Sequence, residues 1–142
     1  MERPGALEPM RGPQRRPLKG KLLLADEDLA DLQLYSAILT QLGHEVRTFA
    51  SYDEAADCLG QEAFDLVLVS QGSSTFEGRS VLSRAIEKDR RTPVLVLTRF
   101  IEIPCYLEAI QLGARDYMLK PSRPTDIGEL VTRYLASRSG SA

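Results

Sequence analysis

Two apolar runs limit what this chain can become: Phe64-Asp65-Leu66-Val67-Leu68-Val69-Ser70 and Pro93-Val94-Leu95-Val96-Leu97-Thr98. Both are short and rich in β-branched residues. Neither shows the apolar–polar alternation of a half-exposed strand, so both are read as central strands of a parallel sheet covered on two faces. Parallel neighbours need long crossover connections, usually helices, and the chain supplies them. Lys21 to Ala25 reads as a first strand, Glu45 to Phe49 as a second and Asp116 to Leu119 as a fifth.

The segments between carry helical spacing. Leu32, Tyr35, Ile38, Leu39 and Leu42 share one face of a first helix, with Asp28 as N-cap and Gly43 as a stop free to take positive φ. Ser51-Tyr52-Asp53-Glu54 reads as a capping box opening a short second helix through Ala55, Cys58 and Leu59. Gly78 leads into a third helix that turns Val81, Leu82, Ala85 and Ile86 inward. Pro104 sits in the first turn of a fourth helix ending at Gly113. The last helix has the clearest period: Ile127, Leu130, Val131, Tyr134 and Leu135.

Alternating strands and helices joined by right-handed crossovers give an α/β fold of three layers, (βα)5, flavodoxin-like, with parallel strand order 2-1-3-4-5. At 142 residues and a net charge of −2, the chain suits a single soluble domain. Residues 1–19, with prolines at 4, 9, 13 and 17, read as a disordered Pro/Arg-rich tail, 20–137 as the domain and 138–142 as a flexible end. The first twenty residues lack the apolar stretch of a secretory signal and no run is long enough to cross a bilayer, so a cytoplasmic location with no membrane contact is expected. The basic leader is read as solvated, and no nucleic-acid contact is assigned to the domain. Cys58 and Cys105 lack metal-ligand spacing and fall on apolar helix faces, as buried thiols do. His44 is read as a surface residue at a helix exit.

Open parallel sheets place their chemistry beyond the carboxyl ends of the strands. In this order Asp26, Glu27 and Ser70 meet at the switch point, with Thr98 and Lys120 on the same rim. With Gly78, Lys120-Pro121 and Gly113-Ala114-Arg115-Asp116-Tyr117, these residues make the chain from Lys21 to about Ser137 resemble the receiver domains of bacterial response regulators, the CheY-like family. That resemblance implies a module of a two-component phosphorelay. In the family an aspartate ending the third strand takes a phosphoryl group from a histidine kinase. The acidic pair and the acceptor hold Mg²⁺, and the threonine and lysine bind the phosphoryl oxygens. A cis peptide bond before the proline, here Pro121, is common.

This chain departs at the acceptor itself, where Ser70 stands, and in the following loop, where Ser74 replaces a usual proline. A serine hydroxyl without an adjacent base is a weak nucleophile and offers Mg²⁺ a neutral oxygen in place of a carboxylate. The reading is therefore a pseudo-receiver, not an enzyme. Asp26 and Glu27 keep a weak or vestigial Mg²⁺ affinity, no other cofactor is expected, and Thr98 and Lys120 are phosphate-site remnants. Lys120 is expected to pair with Asp26 or Glu27. Arg99, where the family tends to have a small residue, either points into solvent or folds over the cleft to Glu27 or Asp28.

Signalling would then pass through protein contacts with a histidine kinase or a downstream effector. The expected surface is the fourth helix, fifth strand and fifth helix, with Phe100, Ile101, Tyr106 and Tyr117 as an exposed apolar patch and homodimerisation through it an option. Two alternatives remain at this point. One is phosphorylation with Mg²⁺ on Ser70 or another acceptor. The other is a small-molecule-binding flavodoxin-like protein or enzyme, disfavoured because Asp26-Glu27-Asp28 would repel an anion and no Ser/His/Asp set converges.

Overall fold

The computed structural model describes residues 19–140. The residues before Lys19 and after Gly140, where most of the expected tails fall, lie outside the described part. The order is β1 (Lys21–Ala25), α1 (Leu29–Gln41), β2 (Glu45–Phe49), α2 (Tyr52–Leu59), β3 (Leu66–Ser70), α3 (Arg79–Lys88), β4 (Val94–Thr98), α4 (Ile103–Leu112), β5 (Asp116–Leu119) and α5 (Asp126–Gly140). Helical backbone thus continues past Ser137. All pairings are parallel and the strand order is β2-β1-β3-β4-β5, as the patterning requires.

The continuous apolar runs sort their side chains by size. Leu66 and Leu68 of β3, Leu95 and Leu97 of β4 and Leu22 and Leu24 of β1 pack with Leu32, Tyr35 and Leu39 of α1 and Ile127, Leu130, Val131 and Leu135 of α5. The intervening Val67, Val69, Val94, Val96, Leu23 and Ala25 face α2, α3 and α4 through Ala55, Leu59, Leu82, Ala85, Cys105 and Ala109. Strand residues alternate between faces, so every position of β3 and β4 is buried. Burying each such side chain is worth about 1.5–3 kcal/mol, and this fixes the register that aligns the strand ends.

The helix ends follow local chemistry. Asp28 accepts from the Asp31 amide at 3.1 Å and caps α1. Ser51 accepts from the Glu54 amide at 3.1 Å, the first half of a capping box. Gly113 closes α4 at φ 108°, a left-handed conformation that suits a residue without Cβ. Among the described residues no peptide bond is cis, so Lys120–Pro121 is trans, contrary to expectation. Leu42, expected on the inner stripe of α1, is half exposed and lies over Gly128 of α5.

His44 is buried, not a surface residue, and its Nδ1 accepts from the Gly20 amide at 3.1 Å. Burial first, then the Lys19 ammonium, holds the imidazole below its usual range. The folded state therefore resists a proton that the unfolded chain accepts. Stability is lost as pH falls below the ordinary imidazole value of about 6.5 and continues to fall through the depressed folded value. His44→Asn keeps an acceptor for Gly20 but does not titrate. Urea midpoints of the two proteins are expected to diverge between neutral and mildly acidic pH, with wild type losing more; parallel pH profiles would contradict this.

Candidate functional site

The parallel register brings one residue from each of four strand ends to a common rim. Ala25 pairs with Val69, which sets Asp26 beside Ser70; Ser70 pairs with Leu97, and Thr98 with Leu119. Lys120 continues from β5 by donating its amide to Thr98 O at 2.8 Å. Gly78, at the N-terminus of α3, passes so close to β3 that a Cβ there would lie 2.2 Å from Ser70 O.

The cleft is held by an alternating chain of charges. Lys120 Nζ donates to Asp26 Oδ2 and to Asp31 Oδ2, each at 2.8 Å. Arg99 Nη2 reaches Asp31 Oδ2 at 2.6 Å and Asp28 Oδ2 at 3.0 Å. Three carboxylates thus share two cations. The Lys120–Asp26 pair is almost wholly buried, with side-chain exposures of 7% and 4%, whereas Arg99 is 55% exposed. Burial alone would push the Lys120 ammonium down, but its hydrogen bonds to Asp26 and Asp31 outweigh this and the net shift is upward. The Asp28 carboxyl is held below its usual range, first by the Asp31 amide and then by Arg99.

Lys120 therefore pairs with Asp26, one of its two expected partners. Arg99 takes Asp28, and Glu27 stands exposed with neither cation. Asp31, the shared partner of both cations, was not singled out in the sequence. It lies four residues before the buried Tyr35, on the same helical face, and that spacing was a usable signal.

Ser70 is buried. The Tyr52 hydroxyl faces it and the Glu27 backbone without closing a hydrogen bond of good geometry to either, and burial pushes this phenol up to about 12. Thr98 turns its hydroxyl to the next loop, donating to Phe100 O at 2.9 Å and accepting from Phe100 N at 3.2 Å. Beyond Ser70 the loop closes around Glu77, whose carboxylate accepts from Ser73 N at 2.6 Å, Ser73 Oγ at 2.8 Å and Thr75 Oγ1 at 2.8 Å. The Ser73 hydroxyl, then its amide and the Thr75 hydroxyl, pull the Glu77 carboxyl down to about 2. Among the described residues no three His, Cys, Asp or Glu side chains are disposed to hold a metal ion.

The expected apolar patch is corrected in one member. Phe100, Ile101 and Tyr106 are exposed, at 75%, 47% and 41%, together with Ile103, Leu107 and Ile110. Tyr117 is not: it is buried at 5%, with its hydroxyl turned in to Gln71.

The family model for the response regulator receiver domain matches residues 22–132, which runs from β1 through β5 and into the first half of α5. The chain belongs to the response regulator receiver domain family. The receiver is 30% identical over 117 residues to the response regulator protein FleR of Pseudomonas aeruginosa, covering 82% of this chain and 25% of that protein. It is 28% identical over 100 residues to the transcriptional regulatory protein ZraR of Escherichia coli, covering 70% and 23%. This chain thus spans about a quarter of the length of these relatives. Its fold matches the CheY-like receiver domain protein of Methanospirillum hungatei at a TM-score of 0.79 and 24% identity, over 86% of this chain and 98% of that one. Receiver domains are signalling modules that work with histidine kinases and effectors. No helix among the described residues of the receiver is long and apolar enough to cross a membrane.

Proposed function

We propose that this receiver signals by protein contact, without an aspartyl phosphate at the end of β3. The observation that carries the reading is the pairing of Lys120. The ammonium that would meet a phosphoryl oxygen is buried and already shared by Asp26 and Asp31 at 2.8 Å. Phosphoryl transfer depends on positioned charge more than on covalent work by the protein, and here the positioned charges neutralise one another. Ser70 adds no carboxylate to replace them.

The donor set also fits Mg²⁺ poorly. Asp26 commits Oδ2 to Lys120 and Oδ1 to the Asp28 amide at 3.0 Å. The position opposite offers a neutral hydroxyl, while Mg²⁺ favours near-octahedral hard oxygens. Arg99 and Lys120 supply the cationic charge that a metal would bring. A cytoplasmic partner, kinase or effector, would dock on the exposed face of Phe100, Ile101 and Tyr106; a second copy of this chain is the alternative occupant.

The reading is tested by titrating the receiver with Mg²⁺ and then beryllofluoride while following backbone amides by NMR. Amides of Asp26, Ser70, Thr98 and Lys120 are expected to stay in place. Saturable shifts clustered on those four would overturn the proposal.

A further inference from the structure

The residue after Ser70 buries an uncharged amide whose two polar atoms are both engaged. Gln71 is 2% exposed. Its Nε2 donates to Ser73 O at 3.1 Å and, at 3.5 Å, to Glu102 Oε1; its Oε1 accepts from the Tyr117 hydroxyl. That hydroxyl in turn accepts from the Glu102 amide at 3.0 Å. One side chain therefore joins the loop after β3, the loop before α4, and β5. The Gln71 backbone is itself fixed, donating to Leu97 O at 2.8 Å and accepting from the Gly78 amide at 3.1 Å.

Glu102 is the N-cap residue of α4 and makes no side-chain cap hydrogen bond; its own amide is met by the Tyr117 hydroxyl, which fixes the backbone where the helix begins. The ring of Tyr117 also supports Tyr106 edge-to-face, with centroids 5.8 Å apart. A tyrosine buried this deeply needs a partner for its O–H. Without the Gln71 acceptor, the inward rotamer would leave that donor only Glu102 O, a long 3.5 Å away, and turning out to solvent would satisfy it better.

We propose that Gln71 is a latch: its amide holds Tyr117 inward and, through Tyr117, sets the first turn of α4 and the outer face that carries Tyr106. The latch works with no group bound in the cleft, and it stands whether or not Ser70 takes phosphate.

Amide hydrogen exchange on the full chain tests it, with Gln71→Met removing the amide at similar volume and Tyr117→Phe removing only the hydroxyl. Either change is expected to speed exchange at Glu102 and in the first turn of α4 by about tenfold or more, while amides of β1 and β3 stay protected. Because both act on one connection, the double variant is expected to exchange no faster than the faster single one. In Gln71→Met, nuclear Overhauser contacts between the rings of Tyr106 and Tyr117 are expected to vanish. Unchanged Glu102 protection in Tyr117→Phe, effects that add in the double variant, or persistent ring contacts in Gln71→Met would each overturn the latch. If Gln71→Met does not fold, Gln71→Leu takes its place in the same comparisons.

Discussion

Lys120→Met is expected to destabilise the receiver by about 3–5 kcal/mol, because removing one partner of a buried ion pair leaves the other charge uncompensated. Methionine keeps most of the volume and removes only the ammonium. Asp26, at 4% side-chain exposure, then has no cation. Asp31 keeps Arg99, at 2.6 Å, so the loss falls chiefly on Asp26. Adding Asp26→Asn to Lys120→Met should restore part of the stability, since it withdraws the stranded charge. Arg99→Ala is the contrast. Its guanidinium is more than half exposed, and exposed pairs are worth about 0–1 kcal/mol. Urea midpoints decide the order. If Lys120→Met and Arg99→Ala cost the same, Lys120 is not the charge that holds the cleft.

Gly78→Ala is expected to be nearly as severe, at about 3 kcal/mol, the upper end for forcing a methyl into packed structure. The added Cβ would lie 2.2 Å from Ser70 O and 3.0 Å from Val69 Cγ2. Both belong to the central strand, whose neighbours on either side are fully paired, so neither can give way cheaply. The backbone at Gly78, φ −68°, would itself accept alanine; the obstacle is the close approach. Gly128→Ala provides the control. There the new Cβ meets only the tip of Leu42, which is half exposed and can turn aside, while alanine suits a helix interior better than glycine by about 1 kcal/mol. Gly128→Ala should be neutral or stabilising. A mild Gly78→Ala would mean that the loop after Ser70 moves freely against the strand.

The strands and helices were legible because the continuous runs of β3 and β4 and the spacing of α5 leave little choice of face. The meeting of Lys120 with Asp26 or Glu27 was expected because both lie on the carboxyl rim of the sheet and the acceptor that the lysine usually meets in the family is absent; the structure selects Asp26. What sequence reading missed lies where a contact spans elements. Asp31 was passed over because α1 was read for its apolar stripe, although the acid lies one turn from Tyr35 on the same side. Gln71 gave no sign, since a glutamine's partners across two strands are invisible locally. Tyr117 was placed outward for the same reason: the acceptor that draws it in belongs to the loop after β3. His44 was judged by its helix exit, while its burial is set by Gly20 at the start of β1, where Lys21 pairs with Glu45.

The most direct measurement is the intact mass of the receiver after incubation with a small-molecule phosphodonor and Mg²⁺. The expected result is the unmodified mass, with Lys120 still shared between its two aspartates. An added phosphoryl group that is lost on mild hydrolysis, as an acyl phosphate is, would contradict the contact-only account, wherever on the rim it were found.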